Sequence, residues 1–252
     1  MKKMIYSILS VKRNPEKLNA LLVGMKGISG SDLCAVSFGE ITAVVSDVKR
    51  AELIADRSNA IEYAGVIENL AQQFTVLPMR YGSIMESAEL INKMLERNYH
   101  EFQQNLQEVE NKYEFGLKIF CDSEKLKSEL KIKSEADTQT TENSATEIKN
   151  SVYKDYLDKK LKEHRLEELM LTYVNSVIEM ITGYLFRLNT VNKFKKRAIT
   201  TTAIIDAVFL LDMERKDGLI HVIGDLQNQY PRLNFVLTGP WPPYNFVEIA
   251  IK

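Results

Sequence analysis

Leu33-Cys34-Ala35-Val36-Ser37-Phe38-Gly39-Glu40-Ile41-Thr42-Ala43-Val44-Val45 is the stretch whose reading decides the fold. Two apolar, β-prone runs flank Gly39-Glu40, a short-hairpin signal weaker than Asn-Gly. Upstream, Met4 to Val11 reads as a buried or half-buried strand. Asn14-Pro15-Glu16 then opens a helix: Asn14 suits the cap, Pro15 the first helical position, and Glu16 the positive end of the dipole. Leu18, Leu21 and Leu22 give that helix an apolar face, and Gly24, Gly27 and Gly30 loosen the chain after it. Downstream, Ile61, Ala64, Val66, Ile67 and Leu70 predict a second helix over Ser58–Gln73. Phe74 to Leu77 is a further strand, ended by Pro78 and Gly82. The order is strand, helix, strand, strand, helix, strand. That is the ferredoxin-like split βαβ arrangement, and it predicts a first domain over residues 1–83.

Residues 84–252 read as a helix-rich α+β domain, so the whole chain is classed α+β. Glu86 to Asn111 is predicted helical, with Leu90, Met94, Leu95, Phe102, Leu106 and Val109 as its apolar positions. Tyr113 to Cys121 alternates, with Phe115, Leu117 and Ile119 on one face. Ser123 is placed to cap a short helix through Leu130. The polar run near residues 133–150 has no hydrophobe able to build a core, and a mobile solvated insertion is expected there. A solvent-facing helix is the alternative.

Tyr153 to Asn192 carries one apolar stripe at mixed three- and four-residue steps. At roughly 1.5 Å per residue such a helix would exceed a compact domain's diameter, and Thr182-Gly183 is the expected break. The cations of Lys193-Phe194-Lys195-Lys196-Arg197 read as its solvated C-terminal end. Ala203 to Leu211 is a buried strand, Lys216 to Tyr230 a helix stopped by Pro231, and Phe235 to Leu237 a strand. The second half therefore repeats the α+β pattern, and a distant internal repeat stays open.

That last strand leads into Gly239-Pro240-Trp241-Pro242-Pro243-Tyr244-Asn245-Phe246, which holds three of the six prolines and the only tryptophan. Proline fixes φ near −65°. Trp241 and Tyr244 are large amphipathic surfaces on a stiff backbone. The octet reads as a rigid aromatic-proline corner between two extended segments, Trp241 buried and Tyr244 at least partly exposed. A packed structural corner and an interface both remain open for Gly239, Pro240, Trp241, Pro242, Pro243 and Tyr244.

Leu237 to Tyr244 closely resembles the C-terminal signature of the gas vesicle protein F/L family (GvpF/GvpL). Val76-Leu77-Pro78-Met79-Arg80-Tyr81-Gly82 is similar to that family's mid-chain motif, and the Tyr6-Ser7-Ile8-Leu9 strand fits as well. The resemblance spans nearly the whole chain in order. It implies a minor, accessory gas vesicle protein, cytoplasmic and vesicle-associated, and not an enzyme. It also implies binding to the small hydrophobic main shell protein during shell nucleation or lining, with other minor gas vesicle proteins as further partners. It marks Pro78, Arg80, Tyr81 and Gly82 as family-typical. A guanidinium such as that of Arg80 can hold a carboxylate or several carbonyls in a fixed fork. An anchor tying strand to loop and a contact on an interface both fit it.

Composition bounds the alternatives. A chain of 252 residues with 45% hydrophobic and 27% charged content is ordinary for a globular protein. A net charge of −1 supplies no global field to draw in nucleic acid or anionic membrane. No apolar run suggests a membrane span. Cys34 and Cys121 form no CxxC pair and read as reduced thiols of a cytosolic protein. His100, His164 and His221 share no ligand spacing, so no metal is expected. No phosphate-cradling loop or nucleophile elbow is present, and no cofactor is expected. Glu163, Glu167 and Glu168 read as a solvated helix face, and Glu248 as edge protection within an apolar run. Two rivals remain: a ligand-sensing regulatory module, which needs a deep apolar pocket, and an enzyme, which needs a perturbed ionisable cluster.

Overall fold

The computed structural model describes residues 2–11, 15–49, 56–121, 160–161, 164, 168, 172, 175–183, 194–196, 203–231 and 233–247. The chain packs as two compact units. The first comprises Met1–Phe115, Val208–Glu214 and Thr238–Lys252; the second comprises Gly116–Ala207 and Arg215–Leu237. The fold is α+β, with antiparallel pairing throughout the first sheet.

In the first unit the chain runs β1 (Lys2–Ser10), α1 (Pro15–Val23), β2 (Leu33–Phe38), β3 (Ile41–Val48), α2 (Arg57–Ala71), β4 (Val76–Pro78), β5 (Ile84–Met85), α3 (Ala88–Arg97) and α4 (Tyr99–Val109). The order of the first six elements is the one read from the sequence. Across the sheet the order is β2-β3-β1-β4, with β5 also paired to β1. The hairpin register, Phe38↔Ile41 down to Leu33↔Ser46, leaves Gly39-Glu40 as a two-residue loop. The Asp56 side chain caps α2 by accepting the Asn59 N–H at 2.8 Å, and Ser87 caps α3 by accepting the Leu90 N–H.

β1 organises this unit because it is buried on both faces. Its register against β3 slips between Ile5 and Ser7, so Tyr6 is the extra residue of a β-bulge. The slip reverses the alternation. Met4, Tyr6 and Leu9 join one core with Leu18 and Leu22 of α1 and Tyr63, Val66, Ile67 and Leu70 of α2. Ile5 and Ile8 join the opposite core with Ile91, Met94 and Leu95 of α3 and Phe102, Leu106 and Val109 of α4. Val208, Leu210 and Phe246 close that second core. The sheet is thus covered by helices on both sides.

Four expectations change. The helix predicted over Glu86–Asn111 is two helices. Asn98 between them leaves helical geometry (φ −108, ψ 19), and its side-chain amide donates to the Met94 carbonyl at 2.8 Å. An asparagine that bonds the backbone in this way competes with the helix ladder. Within the run read as a solvated helix end, Phe194–Lys196 is a strand, β7, and Lys193 and Arg197 lie outside the described residues. The octet does not begin a corner at Gly239: β9 (Leu233–Trp241) runs on through Pro240 to Trp241. A two-residue strand, β5, was not foreseen.

The remaining strands, β6 (Lys112–Cys121), β7, β8 (Ala203–Asp212) and β9, form a second sheet ordered β7-β8-β6-β9. In the second unit, α5 (Lys216–Gln229) buries Leu219, Val222, Ile223 and Leu226. Its Gln227 amide accepts the Phe235 N–H at 3.1 Å and donates to the Leu233 carbonyl at 2.7 Å, tying the helix to β9. Residues 175–183 are helical through Thr182-Gly183, with Val177 and Ile181 buried. The short helix after Ser123, the insertion near 133–150, and Glu248 lie outside the described residues.

Candidate functional site: the tyrosine row and the aromatic-proline corner

The mid-chain motif closes the edge of the first sheet. Pro78, buried, ends β4 opposite Ser7. The Met79 N–H donates to the Tyr6 carbonyl at 2.9 Å, and the Ile5 N–H donates to the Ser83 carbonyl at 2.8 Å. Between these two ties the chain makes a tight turn, the Ser83 N–H donating to the Arg80 carbonyl at 3.0 Å. Gly82 sits at its third position with φ +83, the left-handed value a type II turn demands there. Arg80 points to solvent, and its guanidinium has no hydrogen bond or ion pair among the described residues. Backbone hydrogen bonds tie this strand to its turn.

Tyr81 lies half-buried against Tyr63 of α2, the rings edge-to-face with centroids 5.3 Å apart. Tyr63 in turn stacks on Tyr6 at 5.2 Å. The Tyr63 hydroxyl donates to the Met79 carbonyl at 2.6 Å. Tyr6 accepts the Ile28 N–H at 2.9 Å and faces the Ser46 hydroxyl at 3.0 Å. Burial, then the neighbouring hydroxyls of Tyr244, Tyr6 and Tyr81, push the Tyr63 phenol far above its ordinary range. It is a fixed neutral donor.

The C-terminal corner bears on this row electrostatically, the Tyr244 hydroxyl being one of the groups that raise the Tyr63 phenol. Gly239 has φ +111, and a Cβ there would fall 2.7 Å from the Glu114 backbone carbonyl. Both the backbone angle and the space demand glycine. The Gly239–Pro240 peptide is cis. After Trp241 the chain turns back, with Tyr244 N–H to the Pro242 carbonyl at 2.7 Å and Phe246 N–H to the Pro243 carbonyl at 3.1 Å. Glu114 of β6, only 4% exposed, accepts the Asn245 backbone N–H at 2.7 Å and its side-chain amide at 2.5 Å. Pro242, Pro243 and Phe246 are buried, and Phe246 joins the core beneath α3 and α4. Burial first, then the Glu68 and Glu114 carboxylates, push the Tyr244 phenol well above its ordinary range.

Trp241 is 40% exposed and Tyr244 37%. The expectation that Trp241 is buried is corrected: it ends the strand, and the two prolines after it take the interior positions. Pro242 and Pro243 floor a cleft of about 200 Å³ with Phe74, Val109 and Tyr113. A second, open groove of about 590 Å³ runs along Gly24–Gly30 and α2. The N–H groups of its loop are spent internally: Ile28 on Tyr6, Ser29 on Glu62, Gly30 on Gly27 and Ser31 on Ile28. Among the described residues no three His, Cys, Asp or Glu side chains group to hold a metal ion. His164 and His221 are exposed beside Glu168 and Asp225 one helical turn on. No helix among the described residues is long and apolar enough to cross a membrane.

The mid-chain motif and the C-terminal octet, far apart in sequence, both belong to the first unit. Comparison with known proteins gives the chain a family. The family model described as gas vesicle synthesis protein GvpL/GvpF matches residues 3–248. This chain belongs to the GvpL/GvpF family. It is 23% identical to gas vesicle protein F1 of Halobacterium salinarum over 92% of this chain and 89% of that one. It is 22% identical to gas vesicle protein L of a Streptomyces species over 90% and 87%. Its fold is similar to the crystal structure of GvpF from an Anabaena species, with TM-score 0.75 at 20% identity over 99% and 97%. The Microcystis aeruginosa GvpF crystal structure gives 0.72 at 17% over 98% and 99%.

Tyr63 and Glu114 carry no mark in the GvpL/GvpF-like sequence, and Asn245 stands in the octet without a role of its own. Tyr6 stands in the strand that fits the resemblance, and Tyr63 lies within the second predicted helix but not among its apolar positions. Glu114 lies on the opposite side of its strand from Phe115, Leu117 and Ile119, where alternation predicts solvent. The returning corner brings the Asn245 donors that pair its carboxylate.

Proposed function

We propose that this chain is an accessory protein of gas vesicle assembly. It acts in the cytoplasm and on the vesicle by binding the small hydrophobic main shell protein during shell nucleation or lining. Other minor gas vesicle proteins are its further partners, and no enzymatic step is part of the role. Family membership supports the gas vesicle role. The observation that carries the binding reading is the corner itself: Trp241 and Tyr244 stay substantially exposed while the chain on either side is fixed. Large aromatics on a preorganised backbone are the usual anchors of protein interfaces. The cleft beside them, about 200 Å³, is smaller than the roughly 300–1,000 Å³ of small-molecule sites. That cleft is read as part of a protein interface, while the open groove of about 590 Å³ along Gly24–Gly30 falls within that range and is where a ligand-sensing role would sit.

The test is co-purification of the main shell protein with wild type, Trp241→Ala, Tyr244→Ala and Arg80→Ala, each checked by thermal melt. Arg80→Ala is expected to leave the melt unchanged and to weaken capture if Arg80 touches the partner. Retention of the shell protein at wild-type levels by folded Trp241 and Tyr244 variants would remove the corner from the interface. No capture by wild type would remove the shell protein as partner.

A further inference from the structure

We infer that Glu114 is the positioning residue of the corner: one buried side chain on β6 sets how Trp241 and Tyr244 are presented. The inference rests on the binding reading above for its consequence and on geometry alone for its mechanism. Both ends of the segment close on this residue. At Gly239 the chain passes so near the Glu114 carbonyl that a single added carbon would sit 2.7 Å from it. At Asn245 the carboxylate takes two N–H groups, one on each oxygen, at 2.7 and 2.5 Å. Trp241 and Tyr244 lie between these two points. The segment is also held by the pairing of β9, which runs to Trp241, with β6, by the turn bonds from Pro242 and Pro243, and by buried Phe246. Past the end of β9, the Glu114–Asn245 pair holds the turn at two points, and a two-point contact defines an orientation where a one-point contact does not.

The chemistry requires this pairing in one polarity. A carboxylate only accepts, and Asn245 presents two donors. Glu114→Gln keeps one acceptor oxygen and turns an NH2 toward the second donor. Asn245→Asp puts two carboxylates face to face. The double variant, Glu114→Gln with Asn245→Asp, restores complementarity: the glutamine oxygen accepts the backbone N–H and its NH2 donates to the aspartate.

The experiment measures amide hydrogen exchange at Asn245 and affinity for the main shell protein, on the full chain well below its melting temperature. Each single variant should speed exchange at Asn245 while amides of β1 and β3 keep their protection. Each should weaken binding roughly tenfold or more, the range for loss of a charge-assisted hydrogen bond. The double variant should recover both. Unchanged exchange in the single variants overturns the positioning role. Faster exchange with unchanged affinity also overturns it, since presentation would not depend on the clamp. If wild type binds no shell protein, the binding reading falls by itself, and the exchange arm with its double-variant rescue still decides whether Glu114 holds the segment.

Discussion

Replacing Trp241 by alanine separates structure from recognition, and its size follows from exposure. A large aromatic side chain buries roughly 150–250 Å² when fully covered. Trp241 is 40% exposed, so about 150 Å² is at stake at the upper end of that range. At about 25 cal/mol per Å² this is nearly 4 kcal/mol. A compact unfolded state already hides roughly 10–40% of such area, which brings the expected loss to about 2–3 kcal/mol. A fully buried tryptophan would cost about 3–5 kcal/mol. For a chain of this size each kcal/mol moves the melting temperature by roughly 2–4 °C, so a drop of about 4–12 °C is expected. The protein stays folded at 25 °C, and binding can be read without ambiguity. An interface anchor of this type typically contributes at least about 2 kcal/mol, a loss of roughly thirtyfold in affinity. Thermal melts and titration against the main shell protein, on the same preparation, give both numbers. An unchanged affinity beside the expected melt would show that the exposed face of Trp241 touches nothing. A melt unchanged within about 1 °C would refute the burial arithmetic.

Further outcomes follow from the same geometry. Gly239→Ala should destabilise more than Trp241→Ala, because a strained backbone of about 1–3 kcal/mol adds to a contact with the Glu114 carbonyl; chemical denaturation measures it. Tyr63→Phe removes the donor from the buried Met79 carbonyl and should cost about 1–3 kcal/mol, with faster exchange at the Arg80–Ser83 turn. Stability should also fall at alkaline pH. Tyr63, Tyr81 and Tyr244 all have phenols raised above the ordinary value of 10.0, so the unfolded chain releases these protons first. Their contribution is complete below pH 10 and declines above it. Denaturant melts from pH 8 to 11 should show the decline, and Tyr63→Phe should flatten it.

Much of the fold is legible because its signals are local. Gly39-Glu40 sets a hairpin whichever neighbours surround it, and Pro15 starts a helix by its own ring. The bulge at Tyr6 is not legible, since the mostly apolar run Met4-Ile5-Tyr6-Ser7-Ile8-Leu9 offers no alternation to interrupt. Asn98 divides α3 from α4 without disturbing the apolar period, as both helices face the same core. Phe194–Lys196 carries charge that suits a helix end, yet it is a strand, and strand formation depends more on the neighbour it pairs with than on its own composition. At the site, Pro242 and Pro243 announce a rigid turn by themselves, whereas Gly239 and Pro240 belong to the strand before it. Glu114 announces nothing, because the Asn245 donors that pair its carboxylate arrive more than a hundred positions later.

The divided edge of the first sheet has a consequence for solubility. β4 and β5 are three and two residues long, and the Arg80–Ser83 turn lifts the chain out of line between them. An approaching strand therefore meets no continuous row of free N–H and C=O groups on that side, and Arg80 adds a charge at the gap. Sheets advertise such rows as templates for aggregation, and interruption is a common protection. For a protein proposed to work among many copies of a very hydrophobic subunit, this edge keeps the chain from being drawn into a growing polymer as one more strand.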